Sequence, residues 1–388
     1  MADTGRILIW IQHLLGSGHF RGVAHIARHL STQGWDVDLV SGGAPVRGLD
    51  LGRTRLHQLP PVRAADGTLS RIVYIDGKPV DASVKTLRRD LLLRLFAGAD
   101  PDILLLEQFP FGLGEFGFEL EPMLAAALKR PNRPVIVASV RDILPPRSAT
   151  READAVAAIG QVFDAVLVHG DPRLIGLEES FGFVPGIASK LVYTGYVGGL
   201  APMPKTKPGI GSNEIIVSAG GGTFGPKLAN VAIDAARLMQ YVRRWRILLD
   251  PDAGPRIFRK LRARAPQWVE IETLRPDYRV LLSRSALSVS QAGYNTVVDV
   301  LAAGARAVMI PYARDGVMEQ TLRAGLLEKR GLARVVSEEL LTPGWLVQAV
   351  TEVIDGPPSI RKVKIDGEAT TERVLGELLA GRREKARS

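Results

Sequence analysis

The chain has 388 residues, 46% of them hydrophobic, and no cysteine; it can bury the cores of two domains, while disulfides, cysteine catalysis and cysteine-ligated metal centres are excluded. An excess of 50 basic over 41 acidic residues gives a net charge of +9, which suits a solvated surface, an anionic ligand or an acidic membrane. No run of interleaved basic and aromatic residues and no helix-turn-helix or RNA-binding motif occurs, so nucleic acid is set aside as a partner.

The first residues, MADTGR, lead directly into a strand without a signal peptide, and no apolar run approaches the roughly 20 residues of a membrane span. The expectation is a cytoplasmic protein, with peripheral contact at the inner face of the membrane as the one membrane option. Arg6 to Gln12 (RILIWIQ) reads as a buried strand, followed by a loop, a helix and a second strand from Val37 to Val40. Val23, Ile26, Ala27 and Leu30 fall at helical spacing, so the helix packs by that face and leaves its N-terminus at the sheet edge. Gly16, Gly18 and His19 sit at that N-terminus. A positive helix end favours a neutral imidazole, the state that a general base requires; the competing reading is a capping loop with an incidental histidine. Arg21 would face the same loop and could bind an acidic or phosphate-bearing acceptor.

Further strands are expected at 102–106, 134–140, 165–169 and 190–194, and Arg71 to Ala82 reads as a β-hairpin turning at Asp76-Gly77. Glu107 and Asp142 lie at the carboxyl ends of strands, where either could orient the His19 imidazole or simply cap a loop. Four phenylalanines between Phe109 and Phe118 (FPFGLGEFGF) suit core packing more than a platform for a ring-bearing acceptor. The basic amphipathic helix from Lys85 to Phe96 fits a membrane-touching face and a solvated face equally well.

Gly198 to Ser212 is rich in Gly and Pro and has no periodicity, and so reads as a linker. It gives residues 1–200 as an N-terminal Rossmann-like acceptor domain, 201–213 as the linker, 214–370 as a C-terminal donor domain, and 371–388 as a helix with a frayed basic tail. Strands are expected at 214–218, 245–249, 268–272, 286–290, 306–310 and 332–336. After the first of these, Ser218, Gly220, Gly221, Gly222 and Thr223 form a turn whose backbone N–H groups and following helix suit an anion. The Lys-Ser/Thr of a P-loop is not present in this turn, which argues against an ATPase. Leu287 to Gln320 then lays out two polar loops at the carboxyl edge of a parallel sheet, where ligands of open α/β folds bind. The first carries Gly293, Asn295, Thr296 and Asp299; the second ends in Glu319 and Gln320.

This last stretch resembles the C-terminal half of the MurG-type glycosyltransferases of the GT-B fold. The resemblance implies a donor diphosphate at Gly293 and Thr296, ribose hydroxyls on Asp299, the sugar at Glu319 and Gln320, donor contact at the Ser218–Thr223 turn, and a base-contacting loop at Leu274 and Arg275. The GxGHxR pattern of Gly16, Gly18, His19 and Arg21 at the N-terminus is similar to that of MurG-type enzymes and of PseG-type nucleotide-sugar hydrolases; in both, the matching histidine works at the reaction centre. Two departures remove any inference to the acceptor of MurG itself: Thr194 to Gly199 carries no arginine, and Ser139 stands near a position held by a carboxylate. The expectation is therefore an α/β protein of GT-B fold, with two Rossmann-like domains facing across a cleft. It would act as an inverting, metal-independent transferase that moves a sugar from a nucleotide-sugar, a UDP-sugar first, to a hydroxyl or amine of a small-molecule or lipid-linked acceptor. No cofactor is implied, the nucleotide-sugar being a co-substrate. A PseG-like hydrolase, and an epimerase or non-catalytic nucleotide-sugar binder, remain as alternatives.

Overall fold

The computed structural model describes residues 4–14, 18–65, 71–198, 204–219, 224–240, 242–312, 318–357 and 362–387. It divides into two compact units, Met1–Leu200 with Lys364–Ser388, and Ala201–Val363. The chain thus re-enters the first unit at Lys364, seven residues before the boundary read from the sequence.

In the first unit the strands are β1 (Arg6–Ile11), β2 (Asp36–Ser41), β3 (Arg55–Gln58), β4 (Val62–Ala64), β5 (Ile72–Tyr74), β6 (Ile103–Glu107), β7 (Val135–Arg141), β8 (Ala165–His169) and β9 (Leu191–Tyr193). Seven of them form one sheet in the order β3-β2-β1-β6-β7-β8-β9, all parallel. Near-continuous apolar runs such as ILLLE and VIVASVR belong to strands covered on both faces. One face is covered by α2 (Ala82–Ala99), α3 (Gly117–Leu128) and α4 (Ala149–Val162), the other by α1 (Gly18–Thr32). Val23, Ile26, Ala27 and Leu30 are buried, as their spacing requires.

Two expectations change here. The hairpin around Asp76-Gly77 is reduced to one bridge, Val73 with Pro79; β5 pairs instead with β4. Gly77 keeps the turn, at φ 89°, a left-handed conformation in which glycine is unstrained. The aromatic loop is core: Phe109, Phe111 and Phe116 are buried, and Phe111 meets Phe181 edge-on with centroids 5.3 Å apart.

The second unit holds β10 (Ile215–Ser218), β11 (Trp245–Leu249), β12 (Val269–Thr273), β13 (Leu287–Ser290), β14 (Ala307–Met309) and β15 (Arg334–Val335). They form a second parallel sheet in the order β12-β11-β10-β13-β14-β15. Its helices are α5 (Phe224–Leu238), α6 (Pro255–Arg264), α7 (Tyr278–Arg284), α8 (Tyr294–Ala303), α9 (Glu319–Lys329) and α10 (Pro343–Asp355). The Ala-Gly break after α8 is a left-handed C-cap, Gly304 at φ 63°, whose N–H closes on Leu301 and Val300.

A final helix, α11 (Gly367–Arg387), packs on the first unit. Val374, Leu375 and Leu379 enter its core, His29 Nε2 lies 2.8 Å from Glu372, and Arg382 donates to Asp164 at 2.7 Å. The helix is therefore anchored as far as Arg382, the residue at which the frayed basic tail was expected to begin. Among the described residues no helix is long and apolar enough to cross a membrane.

Candidate functional site

Both sheets change winding direction at one point, between β1 and β6 in the first and between β10 and β13 in the second. Loops leaving the carboxyl ends of two such neighbouring strands diverge and leave room for a ligand. In the first unit these ends carry His19, at the start of α1 after β1, and Glu107, the last residue of β6.

His19 Nδ1 lies 3.6 Å from Glu107 Oε1 and 3.1 Å from the side-chain amide of Gln108. The imidazole is 27% exposed, whereas the Glu107 carboxyl is 3% exposed, so one member faces solvent and the other does not. Burial pushes the Glu107 carboxyl up, but the hydrogen bond and charge of His19, the field of His169 and the Ser139 hydroxyl together outweigh it and leave Glu107 below its ordinary value. The positive end of α1 favours a neutral ring, while a buried carboxylate stabilises the imidazolium once a proton arrives. Gln108 has φ 64°, uncommon for a residue with a side chain, and its side chain meets His19.

Asp142, the other carboxylate read from the sequence, is fully buried and accepts the Tyr196 hydroxyl at 3.3 Å. Arg21 is exposed on the first turn of α1. Gly18, at the start of the helix, gives its carbonyl to Arg141 Nη2 at 2.5 Å, which pins the loop bearing His19 to the end of β7. Gly16 lies outside the described residues.

Behind Glu107 runs a file of polar groups. Ser139, its cross-strand partner on β7, donates to Glu107 Oε2 at 2.5 Å; His169 Nε2 is 2.9 Å from Ser139 Oγ, and His169 Nδ1 is 2.8 Å from Thr194 Oγ1. Glu107 and His169 end their strands, Thr194 follows β9, and Ser139 lies two residues before the end of β7. Burial lowers His169 to about 4, with Glu107 opposing and Arg141 assisting. At neutral pH the ring is therefore neutral in the folded chain.

A stability prediction follows from the shift. Between the ordinary value of 6.5 and about 4 the unfolded chain takes up a proton that the folded chain refuses. This contribution is present above pH 6.5 and is lost as pH falls toward 4, by about 3 kcal/mol over the whole window. Urea unfolding at pH 7 and pH 4.5 should show it, and His169→Leu should flatten the dependence.

In the second unit Ser218 closes β10 and is 8% exposed; Gly220, Gly221, Gly222 and Thr223 lie outside the described residues. Gly293 is the N-cap of α8, and Asn295 and Thr296 stand half-buried on its first turn. Asp299, expected at an exposed edge, is instead half-buried and paired: Arg279 donates to its Oδ1 through Nε at 3.0 Å and Nη2 at 2.7 Å. Burial raises the Asp299 carboxyl and Arg279 opposes it. Both donors converge on one carboxylate oxygen.

Gln320, on α9, joins the two loops. Its Oε1 accepts the backbone N–H of Ala292 at 3.2 Å and of Tyr312 at 3.1 Å, which leaves its amide nitrogen for other partners. Glu319 pairs with Arg323 at 2.7 Å, and the buried Arg323 donates to Ala292 O at 3.1 Å. Both expected sugar-loop residues therefore also fix the turn before α8. Arg275 is turned into an ion-pair cluster with Glu272 and Asp277, and the Leu274 N–H is bonded to Leu249 O at 2.8 Å.

Gln108, Ser139, Arg141, His169, Arg279 and Arg323 were not picked out by sequence reasoning as site residues. A signal existed for three of them: each of VIVASVR and AVLVH ends an apolar strand on polar residues, a costly choice in a buried sheet unless those groups have partners.

Residues 247–373 match the model of the glycosyltransferase family 28 C-terminal domain. A UDP-N-acetylglucosamine–N-acetylmuramyl-(pentapeptide) pyrophosphoryl-undecaprenol N-acetylglucosamine transferase of Syntrophotalea carbinolica is 30% identical over 84 residues, 22% of this chain and 24% of that protein. The chain thus spans about a quarter of the length of that relative. Over 98% of its length the chain superposes on the calicheamicin glycosyltransferase CalG4, covering 96% of it at 12% identity and TM-score 0.61. It also superposes, over 98% of its length, on MurG of Acinetobacter baumannii, covering 95% of it at 18% identity and TM-score 0.57. The resemblance to MurG-type glycosyltransferases is thus carried by sequence over residues 247–373 and by fold, the GT-B architecture of two Rossmann-like domains, along the whole chain.

Proposed function

We propose that the protein is an inverting glycosyltransferase that uses a nucleotide-sugar donor, a UDP-sugar first, with the donor held by the second unit and the acceptor activated by the first. The observation that carries the reading is the His19–Glu107 pair at the winding switch of the first sheet, in a chain whose residues 247–373 match a glycosyltransferase domain. An acceptor hydroxyl or amine gives its proton to the His19 ring as its oxygen or nitrogen attacks the anomeric carbon. The bond from that carbon to the diphosphate breaks, and the nucleoside diphosphate departs with the electron pair. Glu107 stabilises the imidazolium so formed, and attack opposite the leaving group inverts the anomeric centre. Charge on the departing diphosphate is met by backbone N–H groups at Gly293 and the start of α8 and by the loop after Ser218. No metal is required in this reading, and the acceptor is a small or lipid-linked molecule in a cytoplasmic setting with peripheral membrane contact.

Asp299 tests the donor half. With Arg279 on Oδ1, the other oxygen accepts a ribose hydroxyl, and Asp299→Ala is expected to weaken nucleotide binding by about 1.5–3 kcal/mol. Calorimetry with the preferred nucleoside diphosphate measures this; equal affinity in parent and variant would remove Asp299 from the site.

The second reading, a hydrolase, is favoured by the Gly18-His19 motif alone. Nucleotide release from donor in the absence of any acceptor decides between the two: slow release is expected of the transferase, and full turnover on water would establish the hydrolase.

A further inference from the structure

We propose that Ser139, His169 and Thr194 are positioning residues that form a directional hydrogen-bond chain behind Glu107, hold its carboxyl as a buried anion, and through it set the proton affinity of His19. This rests on the reading of His19 as the general base, and it assigns work to three residues that never touch a substrate.

The direction of the chain follows from counting protons. An ionised Glu107 can only accept, so the single Ser139 proton points at Oε2, across 2.5 Å. Ser139 Oγ is then left as an acceptor, and the 2.9 Å contact to His169 Nε2 requires that nitrogen to carry the ring proton. His169 Nδ1 is consequently bare and accepts from the Thr194 hydroxyl at 2.8 Å. Every donor points the same way, toward the carboxylate, and such aligned bonds polarise and strengthen one another.

Burial makes the chain consequential. Glu107 is 3% exposed, Ser139 and Thr194 are 0% exposed and His169 is 4% exposed, so water does not share the load. An isolated carboxyl at such a depth takes up a proton to escape its desolvation cost. A protonated Glu107 would no longer stabilise a charged His19.

The far end allows reversal as well. The Thr194 hydroxyl also lies 2.9 Å from Gly195 O and 3.3 Å from Val168 O. If Glu107 gains a proton it donates to Ser139, Ser139 to His169 Nε2, the ring N–H moves to Nδ1 and faces Thr194, and Thr194 turns to a backbone carbonyl. No group is left unsatisfied in either direction. The charge state of Glu107 is therefore written along the whole file.

Ionisable groups around the chain include His19 on α1, His13 after β1, Arg141 on β7 and Asp142 after it, and, beside Gly195 at the Thr194 end, Lys364 and Asp366, with Asp171 bonded to the Lys364 N–H. Arg141 is committed to Gly18 O, His13 to Ala44 O and Asp142 to Tyr196.

The test follows the His19 ring by NMR as a function of pH in the full chain, together with the pH profile of turnover. Ser139→Ala removes the donor next to the carboxylate and is expected to move the His19 midpoint to lower pH, to move the acidic limb of the activity profile with it, and to lower kcat by about 10–100-fold, with KM unchanged. His169→Leu should do the same to a smaller extent, and Thr194→Val least. Because the residues act in series, His169→Leu should add nothing to the His19 midpoint once Ser139 is alanine. Should Ser139→Ala fail to fold, the other two variants carry the same expectation. A His19 titration that superimposes on the parent curve in each folded variant would overturn the proposal. The base reading fails separately, if His19→Ala stays active, because the ring titration reports on the chain whether or not His19 is the base.

Discussion

Replacing His19 by alanine is expected to lower turnover by about 10²–10⁴, the usual contribution of a positioned general base, while leaving donor affinity nearly unchanged. The separation of the two effects follows from the division of labour. His19 lies in the first unit, at the start of α1 and 3.6 Å from a buried carboxylate, whereas the residues assigned to the donor, from Ser218 to Gln320, all lie in the second. The fold should survive, since the side chain is partly exposed and removing it opens no core cavity. Single-turnover kinetics with calorimetry of nucleotide binding reads both quantities. Normal turnover in the alanine variant would move the base elsewhere, with Asp142 the next carboxylate to test.

The largest stability effect is expected at Arg88, in the helix that the sequence left open between a membrane-touching and a solvated basic face. Arg88 is fully buried. It grips Glu119 on α3 with two bonds of 2.8 Å, and donates to Gly42 O at 3.1 Å, Pro60 O at 2.7 Å and Gln12 Oε1 at 3.0 Å. Trp10 adds its indole N–H to Glu119 at 3.1 Å. This one guanidinium ties α2 and α3 to the loops that follow β1 and β2. Arg88→Met would leave the Glu119 charge buried with a single donor, a loss of about 3–5 kcal/mol. Urea unfolding should show the first unit melting early while nucleotide binding by the second is retained. Replacing both partners, Arg88→Met with Glu119→Leu, should recover part of the loss, because no unpaired charge then remains.

The fold was legible where the sequence carried periodicity. Apolar runs such as RILIWI and AVLVH and the stripe of Val23, Ile26, Ala27 and Leu30 placed strands and a helix close to their observed bounds. The edge strand Arg55–Gln58 escaped notice because RLHQ is largely exposed and carries no alternation. β5 found its partner across the loop to β4, since a tight turn at Gly77 specifies a chain reversal and not which strand will flank it. At the site, motifs led to His19, Glu107, Asp299 and Gln320, but not to what holds them. Arg279 lies 20 residues from Asp299 and Thr194 lies 25 from His169. The first pair meets where α7 packs against α8 and the second where parallel strands bring their carboxyl ends into line, and no spacing rule along the chain encodes either. Ion pairing explains the rest of the misses: Arg88 and Arg323 have the composition of surface residues and the burial of core residues.

Nucleotide-sugar binding by the second unit is tested most directly by thermal unfolding of the intact chain against a panel of UDP-, GDP- and dTDP-sugars and their nucleoside diphosphates. A ligand present at a hundred times its dissociation constant should stabilise the folded chain by about 2.7 kcal/mol, with the UDP compounds ahead of the others and the gain reduced in Asp299→Ala. Unfolding curves that no member of the panel displaces, at concentrations well into the millimolar range, would contradict it.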